Sequence, residues 1–282
     1  MSAAPPTLET FQRRLTRRLA GAGFAAAAQE VRALLMQVLA LDWSALVTAG
    51  ARELTAQEVQ ATEVLVARRL AGEPLQHLLG ELEWGGVRLK VTPAALIPRP
   101  ETEWLLHLAL EELRGRPAPA VLDVGTGSGA LALALKAARP DALLSASDLS
   151  PEALALAQQN AERLKLEVQF IHSDLLLDVP GSFDLIVSNP PYLPDADHAS
   201  ASPELRHDPA LALYGGPDGL RLARILMRQA PAHLRPGGIT LLELDPRNVA
   251  LLAAELGAAD WKAEVRPDLS GRARFLRATL LA

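Results

Sequence analysis

Apolar residues recur at helical spacing over the first 80 residues of the chain. Between Val31 and Leu39 they follow an i, i+3, i+4, i+7, i+8 pattern, which places them on one face of a helix. Thr55, followed three residues later by Glu58, has the form of a capping box ahead of a second apolar run. We therefore predict a small helical domain over residues 1–80. Since nothing in it suggests catalysis, we interpret it as a module that docks a substrate partner.

The spacing changes from helical to alternating after residue 80. Apolar residues occupy every second position on both sides of Gly85 and Gly86. Two adjacent glycines supply the positive φ angles of a tight turn, so the segment predicts a β-hairpin. Prolines then mark a loop. We expect residues 81–98 to be a hairpin linker and residues 99–282 to be the catalytic domain.

Short apolar strands alternate with helical segments from Ala120 onward. The predicted strands are Ala120–Val124, Leu143–Asp148, Val168–His172 and Leu185–Ser188, and later Ile239–Leu244, Lys262–Val265 and Arg274–Thr279. The predicted helices between them are Gly129–Ala138 and Pro151–Leu164, the second with Ser150 as its N-cap. This alternation is typical of an α/β fold with a parallel sheet covered by helices on both faces. Ligands of such sheets bind at the carboxyl ends of the strands.

Composition narrows the class of protein. Apolar residues make up 49% of the chain and charged residues 22%, which is typical of a globular domain. The chain has no Cys, which excludes disulfides, thiolate nucleophiles and Cys-ligated zinc, and its six His lack zincin spacing, so we predict no metal site. No apolar run is long enough for a membrane span, and we expect a cytoplasmic protein. The net charge of −5 argues against broad binding of nucleic acid.

A glycine-rich turn follows the first predicted strand. Its three alternating glycines let the backbone turn tightly and approach a ligand closely. The spacing differs from that of dinucleotide and phosphate-binding loops, and no lysine follows. The turn therefore favours a ligand that lacks a pyrophosphate, with an ordinary loop as the alternative. The candidate cofactor-binding residues in it are Gly125, Thr126, Gly127, Ser128 and Gly129.

Acidic residues end the second and third predicted strands. Asp148 can accept hydrogen bonds from both hydroxyls of a ribose, or it can serve the helix N-terminus at Ser150. Asp174 can accept a hydrogen bond from an adenine amino group, or it can be a solvated loop residue. A loop without phosphate chemistry, combined with acceptors for ribose and adenine, points to S-adenosylmethionine as the cofactor.

The fourth predicted strand ends in the tetrapeptide Asn189-Pro190-Pro191-Tyr192. Proline has a fixed φ and no N–H, so the carbonyl of Pro190 can project rigidly, and the side-chain oxygen of Asn189 is a second acceptor. Two neutral acceptors can hold both hydrogens of a planar NH₂ group while Tyr192 lies flat against it. Such a grip orients a weakly nucleophilic nitrogen for in-line attack on a sulfonium methyl group. We therefore predict Asn189, Pro190 and Tyr192 as catalytic residues, with Asn189 also beside the cofactor.

With these motifs the chain resembles class I methyltransferases, and most closely the bacterial PrmC/HemK family of protein-glutamine N5-methyltransferases. The segments that carry the resemblance are Leu96–Glu103, Asp123–Gly129, Asn189–Tyr192, Asp208–Leu220, Pro236–Gly238 and Asp268–Arg272. The tetrapeptide also occurs in adenine-N6 methyltransferases of nucleic acids, so the Pro98–Glu103 and Gly215–Leu220 segments discriminate between the two groups.

The resemblance implies a seven-stranded Rossmann-like domain after a helical domain and a hairpin. It implies that Gly125–Gly129 contact S-adenosylmethionine, that Asp148 holds its ribose, and that the turn at Asp174 and Leu175 lies beside adenine, with S-adenosylhomocysteine as product. Relatives often have an aromatic residue at the position of Leu175. It further implies that Asn189–Tyr192 bind the glutamine amide in the Gly-Gly-Gln loop of peptide chain release factors, which modulates translation termination.

The sequence also leads to expectations about partners, two charged residues and competing functions. We expect a monomer that binds release factors but neither nucleic acid nor membrane. Arg99 and Glu101 either shape the site or pair structurally. The competing hypotheses are an adenine-N6 methyltransferase, which the acidic catalytic half disfavours, and a non-catalytic adaptor, which the intact tetrapeptide disfavours.

Overall fold

Two compact units make up the chain in the computed structural model, which describes residues 5–202 and 204–281. One unit ends at Gly80 and the other begins at Glu81. Among the described residues, no helix combines the length and apolar character that a membrane span requires.

The first unit is helical. Its helices are α1 (Leu8–Gly21), α2 (Ala27–Leu39), α3 (Trp43–Thr48), α4 (Ala56–Leu70) and α5 (Leu75–Leu79). The predicted apolar face of α2 is buried against α1, where Phe11 and Leu15 are inaccessible to solvent. The capping box at the start of α4 is present: the Thr55 side chain accepts a hydrogen bond from the Glu58 amide, and the Glu58 carboxylate accepts one from the Thr55 amide.

The second unit opens with the predicted hairpin, formed by β1 (Glu81–Trp84) and β2 (Val87–Lys90). Gly85 and Gly86 form the turn, and both have a positive φ. A Cβ atom at Gly85 would lie 2.9 Å from the side chain of Leu106 and 3.0 Å from the Cβ atom of Ala134, so the positive φ and the close packing both favour glycine there. The hairpin packs against two helices of the same unit.

A seven-stranded sheet forms the centre of the second unit. Its strands are β3 (Ala120–Val124), β4 (Leu143–Asp148), β5 (Gln169–His172), β6 (Phe183–Ser188), β7 (Leu234–Glu243), β8 (Trp261–Pro267) and β9 (Ala273–Leu280). The helices are α6 (Thr102–Glu112), α7 (Ala130–Ala138), α8 (Pro151–Leu164), α9 (Arg221–Gln229) and α10 (Val249–Gly257). Short 3₁₀ turns lie at Asp195–Ser200, Leu205–His207, Ala210–Ala212 and Ala230–His233.

The strand order is β5-β4-β3-β6-β7-β9-β8. The first five of these strands are parallel, as predicted, whereas β9 runs antiparallel to both of its neighbours. The order of the chain through the sheet reverses between β3 and β6, which are hydrogen-bonded neighbours. Because parallel strands end at the same edge, the glycine loop after β3 and the tetrapeptide after β6 lie side by side at this switch point.

Strand and helix boundaries agree well with prediction in the first half of this unit. Strands β3 and β4 and helix α8 have the predicted bounds, and α7 begins at Ala130 because Gly129 is its N-cap. Strand β7 begins at Leu234 rather than Ile239, because Leu234 pairs with Phe183 across a register shift. Helices α6, α9 and α10 were not predicted.

The capping box offers a test of the first unit. Replacing Thr55 by Ala should destabilise α4 by about 1 kcal/mol, because the backbone N–H of Glu58 loses its acceptor. Hydrogen–deuterium exchange of the α4 amides should then be about fivefold faster. The matched control is Thr16→Ala, inside α1, where no cap is lost. Equal exchange in the two variants would show that the cap contributes nothing.

Candidate functional site

The glycine loop follows β3, and its backbone has positive φ angles that residues with a side chain rarely adopt. Gly125, Gly127 and Gly129 have φ angles of 71°, 57° and 82°. A Cβ atom at Gly129 would lie 3.1 Å from the Cβ atom of Ala157 on α8, so the loop and the helix approach too closely for a side chain. The amides of Gly125 and Thr126 both donate to the carbonyl of Ser147, at 2.8 and 2.9 Å, which ties the loop to β4.

A buried carboxylate, that of Asp123, fixes the loop from beneath. Its Oδ2 accepts hydrogen bonds from the hydroxyl of Thr126 at 2.7 Å and from the amide of Ala132 at 3.2 Å. Asp123 is only 2% exposed, and this burial raises its pKa to about 7. Sequence reasoning gave Asp123 no role of its own, because its partners become visible only when the strand and the helix are folded.

The two acids predicted to bind the cofactor differ in their surroundings. The carboxylate of Asp148 accepts hydrogen bonds from the amide of Gly127 at 2.8 Å and from the amide of Ser150 at 2.9 Å. It therefore joins the glycine loop to the N-terminus of α8, while its remaining lone pairs stay available. Asp174 is exposed, and Leu175 beside it has a left-handed backbone with φ 54°.

The tetrapeptide begins at the edge of a small cavity. Asn189 lines this cavity of about 70 Å³ together with the glycine loop, Thr102 and Arg99. The Asn189 side-chain nitrogen donates to the hydroxyl of Thr102 at 3.1 Å. Within the described residues, neither the side-chain oxygen of Asn189 nor the carbonyl of Pro190 receives a hydrogen bond. The two acceptors singled out from the sequence are therefore both available.

Two glycines pack closely against the second half of the tetrapeptide. A Cβ atom at Gly215 would lie 2.3 Å from the carbonyl oxygen of Pro191, and one at Gly219 would lie 2.1 Å from that of Tyr192. The side chain of Asn248 also donates to the Tyr192 carbonyl at 3.3 Å. The glycine-rich segment that distinguished the two methyltransferase groups in the sequence thus packs directly on the tetrapeptide backbone.

Tyr192 is largely enclosed. Its ring packs against the apolar cluster between the sheet and helices α9 and α10. Burial and the nearby Glu243 carboxylate raise the pKa of its hydroxyl. The phenol is therefore neutral at physiological pH, and its apolar ring is its main contribution to the site.

Segments of both units match known protein families. The PrmC N-terminal domain family matches residues 11–80, and the methyltransferase small domain family matches residues 104–207. A release factor glutamine methyltransferase from Deinococcus radiodurans is 58% identical over 263 residues, which cover 93% of this chain and 95% of that protein. The chain belongs to the release factor glutamine methyltransferase family. A second member, from Cereibacter sphaeroides, is 43% identical over 94% of this chain and 95% of its own length.

Solved structures show the same fold. A methyltransferase from Pyrococcus furiosus aligns with a TM-score of 0.53 at 21% identity, covering 69% of this chain and 89% of that chain. The 16S rRNA methyltransferase RsmC of T. thermophilus, in complex with AdoMet and guanosine, aligns with a TM-score of 0.50 at 26% identity, covering 71% of this chain and 49% of its own. The seven-stranded methyltransferase fold predicted for the second unit is thereby confirmed.

The two charged residues ahead of α6 have separate surroundings in this family member. Arg99 donates to Asp208 at 2.5 Å, and the other oxygen of that buried carboxylate accepts the amide of Ile97 at 3.2 Å. Arg99 also lines the cavity, so it both pairs structurally and shapes the site. Glu101 is exposed at the N-terminus of α6.

Sequence reasoning missed a buried asparagine that positions the loop. The side chain of Asn160, on α8, donates to the carbonyls of Ser128 and Lys90 at 2.9 and 3.0 Å and accepts the amide of Lys90 at 2.7 Å. It thereby joins the glycine loop to the hairpin. An isolated Asn inside a helical pattern gives no signal of such a role in a single sequence.

The rest of the described surface shows fewer features that suggest a functional site. Among the described residues, no group of three or more His, Cys, Asp or Glu could hold a metal ion. A larger open groove of about 930 Å³ follows α8 and β5, and none of the sequence-predicted site residues lines it.

The buried Asp123 carboxylate predicts a pH effect on stability. Its pKa rises from 3.8 to about 7 on folding, so the folded state binds the proton more tightly, and stability falls as pH rises from about 4 to about 7. Asp123→Asn keeps an oxygen for both hydrogen bonds and never ionises. We expect this variant to exceed the wild type in free energy of unfolding at pH 8, by on the order of a few kcal/mol, and to match it near pH 4.

Urea denaturation across this pH range measures the effect. The control is Asp141→Asn, at an exposed carboxylate whose pKa is lowered to about 2 by hydrogen bonding to Arg139. That variant should retain the loss of stability between pH 4 and 7. A constant difference between Asp123→Asn and the wild type at all pH values would contradict the raised pKa.

Proposed function

We propose that this protein transfers a methyl group from S-adenosylmethionine to the side-chain amide nitrogen of the glutamine in the Gly-Gly-Gln loop of peptide chain release factors. The observation that carries the proposal is a pair of neighbouring acceptors that receive no hydrogen bond within the described residues: the side-chain oxygen of Asn189, which lines the cavity together with the glycine loop, and the carbonyl of Pro190, the next residue. Membership in the release factor glutamine methyltransferase family supports the choice of substrate.

The residues present suit the proposed cofactor. At Gly125 the glycine loop presents bare backbone to open space, since a Cβ atom there would meet nothing within 4 Å. The carboxylate of Asp148 retains lone pairs for ribose hydroxyls, and we assign Gly125–Gly129 to the cofactor on the same grounds. Asp174 and Leu175 are assigned to the adenine. S-Adenosylmethionine supplies an electrophilic methyl group bound to a sulfonium centre.

The tetrapeptide prepares the glutamine amide as a nucleophile. The lone pair of an amide nitrogen is delocalised, so the nitrogen attacks poorly unless it is held in position. Asn189 and Pro190 accept the two N–H hydrogens, while Pro191 and Tyr192 bound the amide plane. Neutral oxygens stabilise the positive charge that develops on nitrogen during attack, and no basic side chain has to remove a proton beforehand. Tyr192, whose pKa is raised, remains a neutral phenol throughout.

The helical unit is assigned to docking of the release factor. Its match to the PrmC N-terminal domain family and the absence of catalytic candidates from its described residues support this role. Release factors act in translation, so we place the enzyme in the cytoplasm.

The decisive experiment incubates the full-length protein with a bacterial release factor and S-adenosylmethionine labelled in the methyl group. We expect label on the release factor and none after its Gly-Gly-Gln glutamine is replaced by Glu, which preserves the shape of the side chain but removes the NH₂ group. Parallel reactions contain DNA and RNA in place of the release factor. Label on nucleic acid alone, or equal labelling of the Glu variant, would overturn the proposal.

Loss of the Asn189 acceptor should affect turnover rather than cofactor binding. We expect Asn189→Ala to slow methyl transfer at least ~100-fold, because a positioned polar group is lost from the transition state. The dissociation constant for S-adenosylmethionine, measured by calorimetry, should change little. Asn248→Ala serves as a comparison, since the side chain of this residue is hydrogen-bonded to the tetrapeptide at the Tyr192 carbonyl and not at Asn189. Turnover of Asn189→Ala at the wild-type rate would refute the assigned role.

A further inference from the structure

Two buried polar residues lie behind Asn189. Thr102, the first residue of α6, is 6% exposed, and Glu243, the last residue of β7, is fully buried. The Asn189 side-chain nitrogen donates to the Thr102 hydroxyl at 3.1 Å. Neither residue was assigned a role from the sequence, although Thr102 lies in one of the segments that carry the family resemblance.

The carboxylate of Glu243 has an unusual environment. Within the described residues, neither of its oxygens has a partner at hydrogen-bonding distance. The guanidinium of Arg274, on β9, lies 3.9 Å away. Burial raises the pKa of Glu243 to about 7, and the nearby hydroxyls of Thr102 and Tyr192 oppose that rise. A buried carboxylate without a hydrogen bond is costly even with a guanidinium 3.9 Å away, so the position of Glu243 near these hydroxyls needs an explanation.

The position of Glu243 bears on the direction of the hydrogen bond between Thr102 and Asn189. A hydroxyl can either donate to an amide oxygen or accept from an amide nitrogen, so the contact between Thr102 and Asn189 does not by itself decide which end of the Asn189 amide faces the cavity. A carboxylate can only accept. The negative charge of Glu243 therefore favours the orientation in which the Thr102 hydroxyl points its hydrogen toward the carboxylate and its lone pairs toward Asn189.

We propose that Thr102 and Glu243 are positioning residues that fix the orientation of the Asn189 amide. The carboxylate attracts the Thr102 hydrogen, Thr102 accepts from the Asn189 nitrogen, and the Asn189 oxygen is left facing the cavity. A flipped amide would present its NH₂ group to the substrate NH₂ group, and donor would face donor. The inference rests on the proposed function, because it explains how the acceptor for the glutamine amide is maintained.

Protonation of Glu243 should weaken this control. A protonated carboxyl group is uncharged and no longer attracts the Thr102 hydrogen, so the relay from Glu243 through Thr102 to Asn189 loses its direction. The groups that face Glu243 are Thr102 at the start of α6, Glu101 just before it, Tyr192 after β6 and Arg274 from β9. We therefore expect kcat to fall as pH falls through about 7, the value to which burial raises the Glu243 pKa.

The test compares Thr102→Val with Thr102→Ser in the full-length enzyme. Valine removes the hydroxyl at nearly constant shape, and we expect kcat to fall at least 10-fold while the KM for release factor and the dissociation constant for S-adenosylmethionine stay within twofold. Serine restores the hydroxyl and should keep kcat within threefold of the wild type. The matched control is Thr240→Val, because Thr240 on β7 is also buried and its hydroxyl has no partner within the described chain.

A second variant, Glu243→Gln, tests the acceptor behind Thr102. It should lower kcat and remove the dependence of kcat on pH near 7. Full activity of Thr102→Val, equal impairment of Thr102→Val and Thr102→Ser, or an unchanged pH profile in Glu243→Gln would overturn the inference. Should Thr102→Val fail to fold, as judged by circular dichroism, the Thr102→Ser and Glu243→Gln results still decide.

Nuclear magnetic resonance separates this inference from the proposed function. Hydrogen exchange of the Asn189 side-chain NH₂ group, assigned by its loss in Asn189→Asp, should be slow in the wild type and at least 10-fold faster in Thr102→Val. If the wild type does not methylate release factors, the proposed function fails, yet slow exchange still supports the relay. Rapid exchange in a wild type that does methylate release factors would overturn the relay alone.

Discussion

The close approach of two glycines to the tetrapeptide backbone is the constraint on which the site depends. Gly215 and Gly219 leave no room for a Cβ atom against the carbonyls of Pro191 and Tyr192. These two carbonyls therefore face the protein, and the carbonyl of Pro190 is the backbone acceptor left free at the site. Strands β3 and β6 are adjacent and have a fixed register. A side chain at Gly215 or Gly219 would push the tetrapeptide out of place, and the acceptors of Asn189 and Pro190 would then move away from the glycine loop.

Buried carboxylates hold the two halves of the site. Asp123 fixes the glycine loop, and Glu243 lies behind the tetrapeptide. Burial raises the pKa of each to about 7, so near neutral pH both reduce the stability of the fold. Proteins are often less stable than they could be because a functional site must keep polar groups in fixed directions.

Neutral oxygens suit the chemistry of a planar nitrogen. The proposed mechanism asks the protein for position and for stabilisation of developing positive charge, and uncharged acceptors provide both. Arg99, the basic side chain on the cavity wall, has its guanidinium engaged by Asp208. The site therefore relies on geometry rather than on acid–base catalysis. Its prolines fix backbone φ angles, and its glycines allow the close packing that holds the tetrapeptide in place.

The sequence by itself determined the hairpin, the parallel strands, the motifs at their ends and the helices other than α6, α9 and α10. It could do so because periodicity, capping and glycine spacing act between residues close in the chain. It also predicted Asn189 and Pro190 as the acceptors for a planar NH₂ group. Tertiary structure alone decided which way the Asn189 amide points and that Asn160 anchors the glycine loop. These depend on partners far apart in the sequence, as Thr102 and Asn189 are, and such pairs meet only when the sheet brings the ends of its strands together.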